Sequence, residues 1–455
     1  ESMLDRWSVM HYRASVHPLF PMFGALPVYV LSRGLDLNDQ TAIAAFVGSA
    51  AFAVTALFYW AARSIGLDRL QSAVLGFLLL STGSAVFWLG IPETFVLGAS
   101  SMLVPVIWLM AHRGAHDHLT APLQSIVSLS ITATNWMAGL VASVIALGPR
   151  RTIGLSTLAF AVVAGLTVVQ GLVFPGVGRL LDLHEEVAWT SVGQQAVAER
   201  LATITQPFLT SAPIIREVND RLLLGFDAYQ LSAPLVIAVT GWLLIVVLAG
   251  RNILRGLLNP AAKVFLFSVL AMQILLHAVY GDGYFLYSIH FMPLFVLLAG
   301  AALLGPNTRL ALLVVVITAT SSAIHNLGHF RDAAGIFNER PRLVAEVLAT
   351  KHARGEVMSA MAARPDDPWP RREGRMLWGA AGADAGEKGY FEPAGSLTPR
   401  IGGPGLSIWA FGADGALIAT SDTIAARDAS QAFVEAGSDA APGITFRTAF
   451  YSAAW

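Results

Sequence analysis

The chain has 455 residues, of which 55% are hydrophobic and only 13% are charged, a balance typical of membrane proteins and not of soluble enzymes. Its 29 basic and 30 acidic residues nearly cancel, so there is no overall positive field to attract nucleic acid or anionic lipid. The absence of cysteine excludes disulfides, thiolate metal sites and cysteine nucleophiles in this chain.

Residues 1–40 are predicted to form a first loop on the periplasmic side of a bacterial inner membrane. No hydrophobic segment or signal peptide precedes the opening "ESMLDRW", so we expect a further membrane span ahead of this chain. Residues 18–35 are apolar but are interrupted by Pro21 and Pro27, which favours a juxtamembrane helix lying at the membrane interface.

Apolar runs over 41–324 predict an all-α bundle of about ten transmembrane helices. Residues 121–148 are too long for one simple span and have polar residues in their middle, "SITATNWMAG", so we predict two short helices in a hairpin. A long outer loop is expected over 175–230. The runs predicted to be spans are 41–63, 70–91, 94–111, 152–174, 231–250, 264–280, 285–304 and 309–324.

Basic residues in alternate connections orient this bundle, because such residues favour the cytoplasmic side. The opposite, periplasmic face then receives residues 1–40, the turn that contains Glu93, the loop 175–230, the turn at 281–284 and everything after about 325. The unusual polar residues are therefore expected at the periplasmic face. The orienting residues are Arg63, Arg69, Arg113, Arg150, Arg151, Arg251, Arg255, Lys263 and Arg309.

Residues 325–455 differ in character from the bundle. A helix is predicted around 338–363, followed by the proline- and charge-rich "RPDDPWPRREGR". The short runs "LSIWAFG", "ALIATSD" and "TFRTAFY" then have the composition of β-strands and are separated by Gly, Asp and Pro. We expect a small soluble α+β or β-rich domain in the periplasm.

The order of several stretches resembles a known family. It runs from "LDRW" and "HPLFPMFGALPVYVL" through "YWAARSIGLDR", "FWLGIPETF" and a short hairpin ending in arginines to "GYFLYSIHFMPLF". This layout, over roughly residues 1–325, resembles the GT-C superfamily of polyprenyl-phosphate-sugar-dependent glycosyltransferases, the relatives of the aminoarabinose transferase and the protein mannosyltransferases. The resemblance implies a GT-C-like helical bundle that passes a sugar to a periplasmic glycan, lipid or protein acceptor with inversion.

The resemblance also implies catalytic carboxylates at Asp5, in the first outer loop, and at Glu93. A carboxylate suits this chemistry, because the acceptor hydroxyl must lose a proton as it attacks the anomeric carbon. The departing phosphate needs cationic or hydrogen-bonding partners. Candidate substrate-binding residues on the outer face are Arg6, Arg13, His17, Tyr284, Tyr287 and His290.

Several candidates also have a simpler explanation, and for Asp5 it is a solvated residue near a flexible terminus. Glu93 follows a proline and fits a helix start, where the dipole of the next helix stabilises a carboxylate. As a site residue it would orient the acceptor or hold a divalent cation, the one cofactor considered. His17 fits an interfacial anchor, His290 a histidine bonded between helices, and the two tyrosines an interfacial aromatic belt.

Two other functions remain open. Asn135 stands where many GT-C members carry a lysine, and a neutral amide supplies no charge for a donor phosphate. A GT-C-like scaffold without catalysis, acting as a subunit of a membrane complex, is one alternative. A lipid or glycan transporter is the other, with Glu93 and the hairpin 121–148 lining its path.

Overall fold

A computed structural model describes residues 16–111, 119–174, 204–218, 221–279, 284–353, 406–411, 417–424 and 445–450. Within these ranges, seven helices are long and apolar enough to cross a membrane. They are Asp39–Ser64, Thr94–Ala111, Pro149–Val173, Ala233–Leu254, Pro260–His277, Phe285–Leu304 and Thr308–Asn338. The chain is a polytopic helical protein, as its composition predicts.

The first described helical segment, α1, agrees with the helix predicted over 18–35. It consists of π-helical turns at Pro21–Ala25, an α-helical turn at Leu26–Tyr29 and further π-helical turns at Val30–Gly34. Pro21 lies at the start of the segment, where a missing N–H removes no helical bond. Pro27 lies inside it, and the change between π- and α-helical turns accompanies the bond that its missing N–H cannot make. Its position at a membrane interface stays a prediction.

The span predicted over 70–91 is not one continuous helix, because its residues form two helices, α3 (Arg69–Leu80) and α4 (Gly83–Trp88). Ser81 and Thr82 separate them, and their hydroxyls donate to carbonyl oxygens one turn back, each at 2.7 Å. The Thr82 hydroxyl also accepts from the Ala85 N–H and so caps the new helix. These local bonds compete with a continuous helix.

The predicted hairpin is confirmed by α6 (Thr120–Ile131) and α7 (Trp136–Leu147), which are joined through a 3₁₀ turn at Ala133–Asn135. Side chains join its two arms. The Gln124 amide donates to the Ser143 hydroxyl at 2.8 Å, and the Trp136 indole donates to the Ser125 hydroxyl at 2.8 Å.

The remaining elements before residue 400 are longer helices and one pair of short strands. The final helix is continuous through 338, where a separate helix was predicted to begin; residues 325–338 contain no proline to end it. These elements are α2 (Asp39–Ser64), α5 (Thr94–Ala111), α8 (Pro149–Val173), β1 (Pro213–Val218), β2 (Arg221–Phe226), α9 (Ala233–Leu254), α10 (Pro260–Val279), α11 (Tyr284–Ala299) with a 3₁₀ turn at Gly300–Leu304, and α12 (Thr308–Ala353).

Helix ends in the bundle meet at two opposite ends. At one, the Gln71 amide at the start of α3 donates to the Leu303 carbonyl at 3.1 Å. At the other, the Trp88 indole at the end of α4 donates to the Phe285 carbonyl at the start of α11, at 2.7 Å. We name these the Gln71 end and the Glu93 end.

The C-terminal part of the chain contains three described strands, β3 (Leu406–Phe411), β4 (Leu417–Ile424) and β5 (Thr445–Phe450). They form an antiparallel sheet in the order β4–β3–β5 and belong to a compact unit separate from the helical bundle. The three runs predicted as β-structure each contribute one strand. A soluble periplasmic domain stays a prediction.

Candidate functional site

Three of the predicted site residues, Asp5, Arg6 and Arg13, lie outside the described residues, so their roles stay predictions. Tyr284 begins α11, and its side chain also lies outside the described part. The other candidates, His17, Glu93, Tyr287 and His290, have defined places.

Glu93 immediately precedes the first residue of α5, Thr94, and its side chain is half-buried. Its backbone N–H donates to the Ile91 carbonyl at 2.8 Å, which closes the turn that follows α4. The helix-start explanation therefore agrees with the position. It does not compete with a site role, because a helix N-terminus stabilises the ionised carboxylate that either role needs.

His17 anchors the N-terminal segment on the tip of the hairpin. Its Nδ1 lies 3.2 Å from the Ile131 carbonyl oxygen and 3.3 Å from the Thr132 hydroxyl. A carbonyl can only accept, so Nδ1 carries the hydrogen. Backbone bonds continue this contact on either side, where Leu19 N donates to Ser130 O at 2.8 Å and Ala133 N to Val16 O at 2.7 Å.

His290 is 2% exposed and lies between α11 and α5. Its ring is so close to Gly98 that a Cβ at that position would lie 2.6 Å from the ring Cδ2 atom. The His290 Nε2 atom is buried and has no hydrogen-bond partner among the described residues. Direct contact with a phosphate therefore needs α5 and α11 to separate.

Tyr287 stacks on His277, with ring centroids 4.7 Å apart and planes 3° apart. His277 lies two residues before the end of α10 and is buried. The pair therefore joins α10 to α11 near the Glu93 end. Sequence analysis missed His277, although a lone histidine within an apolar span is a signal that marks polar partners.

Amide side chains connect the hairpin to two further helices in the bundle interior. Asn135, 0% exposed, donates to the Gly98 carbonyl and the Ser101 hydroxyl of α5, both at 3.0 Å. Its own oxygen accepts from the Gln273 amide of α10 at 3.3 Å. Asn135 therefore serves as an interior hydrogen-bonding residue. Gln273, one turn before His277, is a second residue that sequence analysis missed.

The loop 204–212 lies beside the break between α3 and α4, and its residues 207 and 209–211 are buried, whereas Ile204 and Thr205 are exposed. Thr210 is 0% exposed, and its carbonyl lies 2.7 Å from Nε2 of His325 on α12. The Tyr229 hydroxyl donates to the Leu209 carbonyl at 2.7 Å, and burial raises the pKa of Tyr229. Part of the long segment predicted as an outer loop thus belongs to the bundle interior.

A metal site is not evident among the described residues, where no three histidine or acidic side chains come together. Glu93 is the one described carboxylate among the predicted site residues. A divalent cation therefore stays a prediction that depends on residues outside the described ranges.

The fold and the site together define a multi-pass membrane protein with a polar, irregular end around Glu93. Comparison of the chain with protein-family profiles, with characterised proteins and with solved structures finds no match. Function must therefore be argued from the residues themselves.

Proposed function

We propose that this chain is a GT-C-like membrane glycosyltransferase, which moves a sugar from a polyprenyl-phosphate donor to an acceptor in the cell envelope. The supporting observation is that the described candidates lie at one end of the bundle. Glu93 lies immediately before α5, His290 packs on the first turns of that helix, and Tyr287 lies one turn from His290. His17 joins this end through the hairpin, whose Asn135 binds α5.

The proposed reaction is a single inverting displacement. The acceptor oxygen attacks the anomeric carbon, the bond from that carbon to the phosphate oxygen breaks, and the polyprenyl phosphate leaves as an anion. A carboxylate takes the acceptor proton. Asp5 is proposed as this base, with Glu93 orienting the acceptor or holding a divalent cation through its oxygens.

Depth within the bundle also favours this function. At about 1.5 Å per residue, Gly98 lies about 8 Å and Ser101 about 12 Å along α5 from Glu93. The polar residues around them therefore lie near one end of the helices. A reaction on a lipid-linked donor whose phosphate stays at the membrane surface needs its polar groups at that depth. The orientation rule for basic residues assigns this end to the periplasm.

The test is turnover by purified protein in lipid vesicles that contain defined polyprenyl-phosphate sugars. Wild type is expected to release polyprenyl phosphate. Glu93→Gln is expected to lower kcat/KM by about 100-fold, the scale of a lost proton-transfer or orienting group. Asp227→Asn is the matched control, because Asp227 is an exposed carboxylate beside Phe226, which contacts α4 at the same end. Equal turnover by Glu93→Gln and wild type would contradict the assignment of Glu93.

A lipid or glycan transporter is the second candidate, supported by a different observation. Asn135 lies at a helix interruption inside the bundle and binds Gln273 there, and interrupted helices with interior polar groups are typical of transporters. The same vesicles distinguish the two functions. Movement of the donor across the bilayer without release of polyprenyl phosphate would contradict the glycosyltransferase function and support the transporter function.

A further inference from the structure

Asn326 of α12 is a fully bonded amide at the Glu93 end. It is 0% exposed, and its Nδ2 donates to the Ser81 carbonyl at 2.8 Å and to the Phe208 carbonyl at 2.9 Å. Its Oδ1 accepts from the Thr210 N–H at 2.9 Å and from the Thr210 hydroxyl at 3.2 Å. One side chain therefore joins α12, the end of α3 and the loop 204–212.

The loop that Asn326 holds begins the next helix. The first N–H groups of a helix have no partner within it. In α4, the N–H of Gly83 donates to the Phe208 carbonyl at 3.0 Å, and the N–H of Ser84 donates to the Pro207 carbonyl at 2.9 Å. The loop therefore supplies the acceptors that a preceding turn of continuous helix would have supplied.

The loop 204–212 packs tightly against the start of α4. A Cβ atom at Gly83 would lie 2.7 Å from the Gln206 carbonyl oxygen and 2.8 Å from Cγ2 of Thr210. The loop backbone packs directly on the helix backbone, so a shift of one requires a shift of the other.

Movement of α4 would be transmitted to Glu93. The Phe87 ring contacts three other rings edge-on at centroid distances of 5.4–5.7 Å, those of Phe226, Phe285 and Phe330. The next residue, Trp88, ends the helix, and only the short turn 89–92 separates it from Glu93.

We infer that Asn326 is a positioning residue, which holds the loop 204–212 in the break between α3 and α4 and thereby sets the place of Glu93. A matched residue exists at the Gln71 end. Asn252 is 5% exposed, and its Nδ2 donates to the Ala301 and Ala302 carbonyls at 2.9 and 3.2 Å. It makes the same kind of contact far from Glu93.

The test uses a single thiol, because the chain contains no cysteine. Glu93→Cys is labelled with a membrane-impermeant maleimide, alone and combined with Asn326→Asp or Asn252→Asp. The introduced carboxylate at 326 keeps the shape of the amide but cannot donate to Ser81 and Phe208. We expect Asn326→Asp to raise the labelling rate about tenfold, as the loss of buried bonds predicts, and Asn252→Asp to change it less than about twofold. Equal labelling in the two double variants would overturn the inference.

A pH series separates positioning from general loss of stability. Acid protonates the introduced carboxyl at 326, which then donates one hydrogen bond again. The ratio of the labelling rate in Glu93→Cys with Asn326→Asp to that in Glu93→Cys alone, measured at the same pH, should therefore fall toward one in acid. A rate that stays raised across the series would overturn the inference. Should Asn326→Asp not fold, Gly83→Ala replaces it, with Gly76→Ala as control, because a Cβ at Gly76 meets nothing within 4 Å.

The turnover arm of this test rests on the proposed function, whereas the labelling arm does not. With Glu93 intact, Asn326→Asp is expected to lower kcat about tenfold while the donor KM changes less than about threefold. A raised labelling rate in a protein without transfer activity would refute the proposed function and leave the inference standing. Active wild type with unchanged labelling would refute the inference alone.

Discussion

The two ends of the bundle are built differently. At the Gln71 end, α3 begins with the reciprocal bonds of a capping box between Asp68 and Gln71, and the 3₁₀ turn Gly300–Leu304 directly extends the end of α11. At the Glu93 end, α3 breaks before α4, the hairpin is interrupted by a 3₁₀ turn, and residues 209–211 of the loop 204–212 are buried. Irregular backbone is tolerated within a membrane protein only where other parts of the chain satisfy it.

Buried histidines strengthen the contrast. His277, His290 and His325 are each less than 7% exposed: His277 stacks on Tyr287 near the end of α10, His290 packs on Gly98 of α5, and His325 lies 2.7 Å from the Thr210 carbonyl. Titratable side chains inside a membrane bundle are costly and are typical of functional regions. The irregular Glu93 end is therefore where the proposed function places its site, and the capped start of α3 marks the Gln71 end as the reference for comparison.

The largest expected effect concerns sidedness and is all or none. A cysteine replacing the exposed Asp227 should react with an impermeant maleimide in intact cells, and one replacing the exposed Arg255 only after permeabilisation. The opposite pattern would reverse the predicted orientation. Reaction of both from the same side would contradict the division of the bundle into two ends.

Gly98→Val should cause the next largest effect. Its side chain would overlap the His290 ring between α5 and α11, so we expect a loss of about 2 kcal/mol in the free energy of unfolding. Thermal unfolding in detergent measures this change. Gly154→Val is the matched control, because Gly154 is exposed and a Cβ there meets nothing within 4 Å. An equal loss in both variants would show that the contact with His290 is not tight.

The interior amides should be coupled. A double-mutant cycle of Asn135→Ala and Gln273→Ala is expected to give a coupling energy of about 1 kcal/mol, the scale of hydrogen bonds between transmembrane helices. Unfolding of the four proteins in denaturant measures it. Strict additivity of the two single changes would mean that their 3.3 Å contact does not stabilise the bundle.

The smallest expected effect is at the Gln71 end. Asp68→Ala removes the cap of α3 and should lower the free energy of unfolding by about 1 kcal/mol without altering the labelling of Glu93→Cys. Asp227→Ala serves as an exposed carboxylate control for stability. Altered labelling of position 93 would show that the two ends are not independent.

Much of the fold could be predicted from the sequence because apolar runs and their polar interruptions are local features. The hairpin 121–148 followed from its length and its polar middle. The break after Leu80 could not be predicted in this way, because Ser81 and Thr82 lie in an otherwise apolar run. Their hydrogen bonds back to Leu78 and Leu79 leave no mark on the hydropathy of that run.

The site was less predictable, because its contacts join distant parts of the chain. Glu93 could be placed at one end of the bundle from the topology alone. The contact of His17 with Ile131 spans 114 residues, and that of Asn326 with Ser81 spans 245. Neither residue spacing nor hydrophobic periodicity in a single sequence indicates contacts between such distant residues. The roles of His17 and Asn326 could therefore be assigned only from the structure.

The most direct test of the account is donor turnover in vesicles by wild type, Glu93→Gln and Asp227→Asn, each checked for equal folding. The account predicts release of polyprenyl phosphate by wild type and by Asp227→Asn, and a loss of about 100-fold in Glu93→Gln. Equal turnover by all three proteins, or loss in both variants alike, would contradict the claim that the Glu93 end carries the chemistry through Glu93.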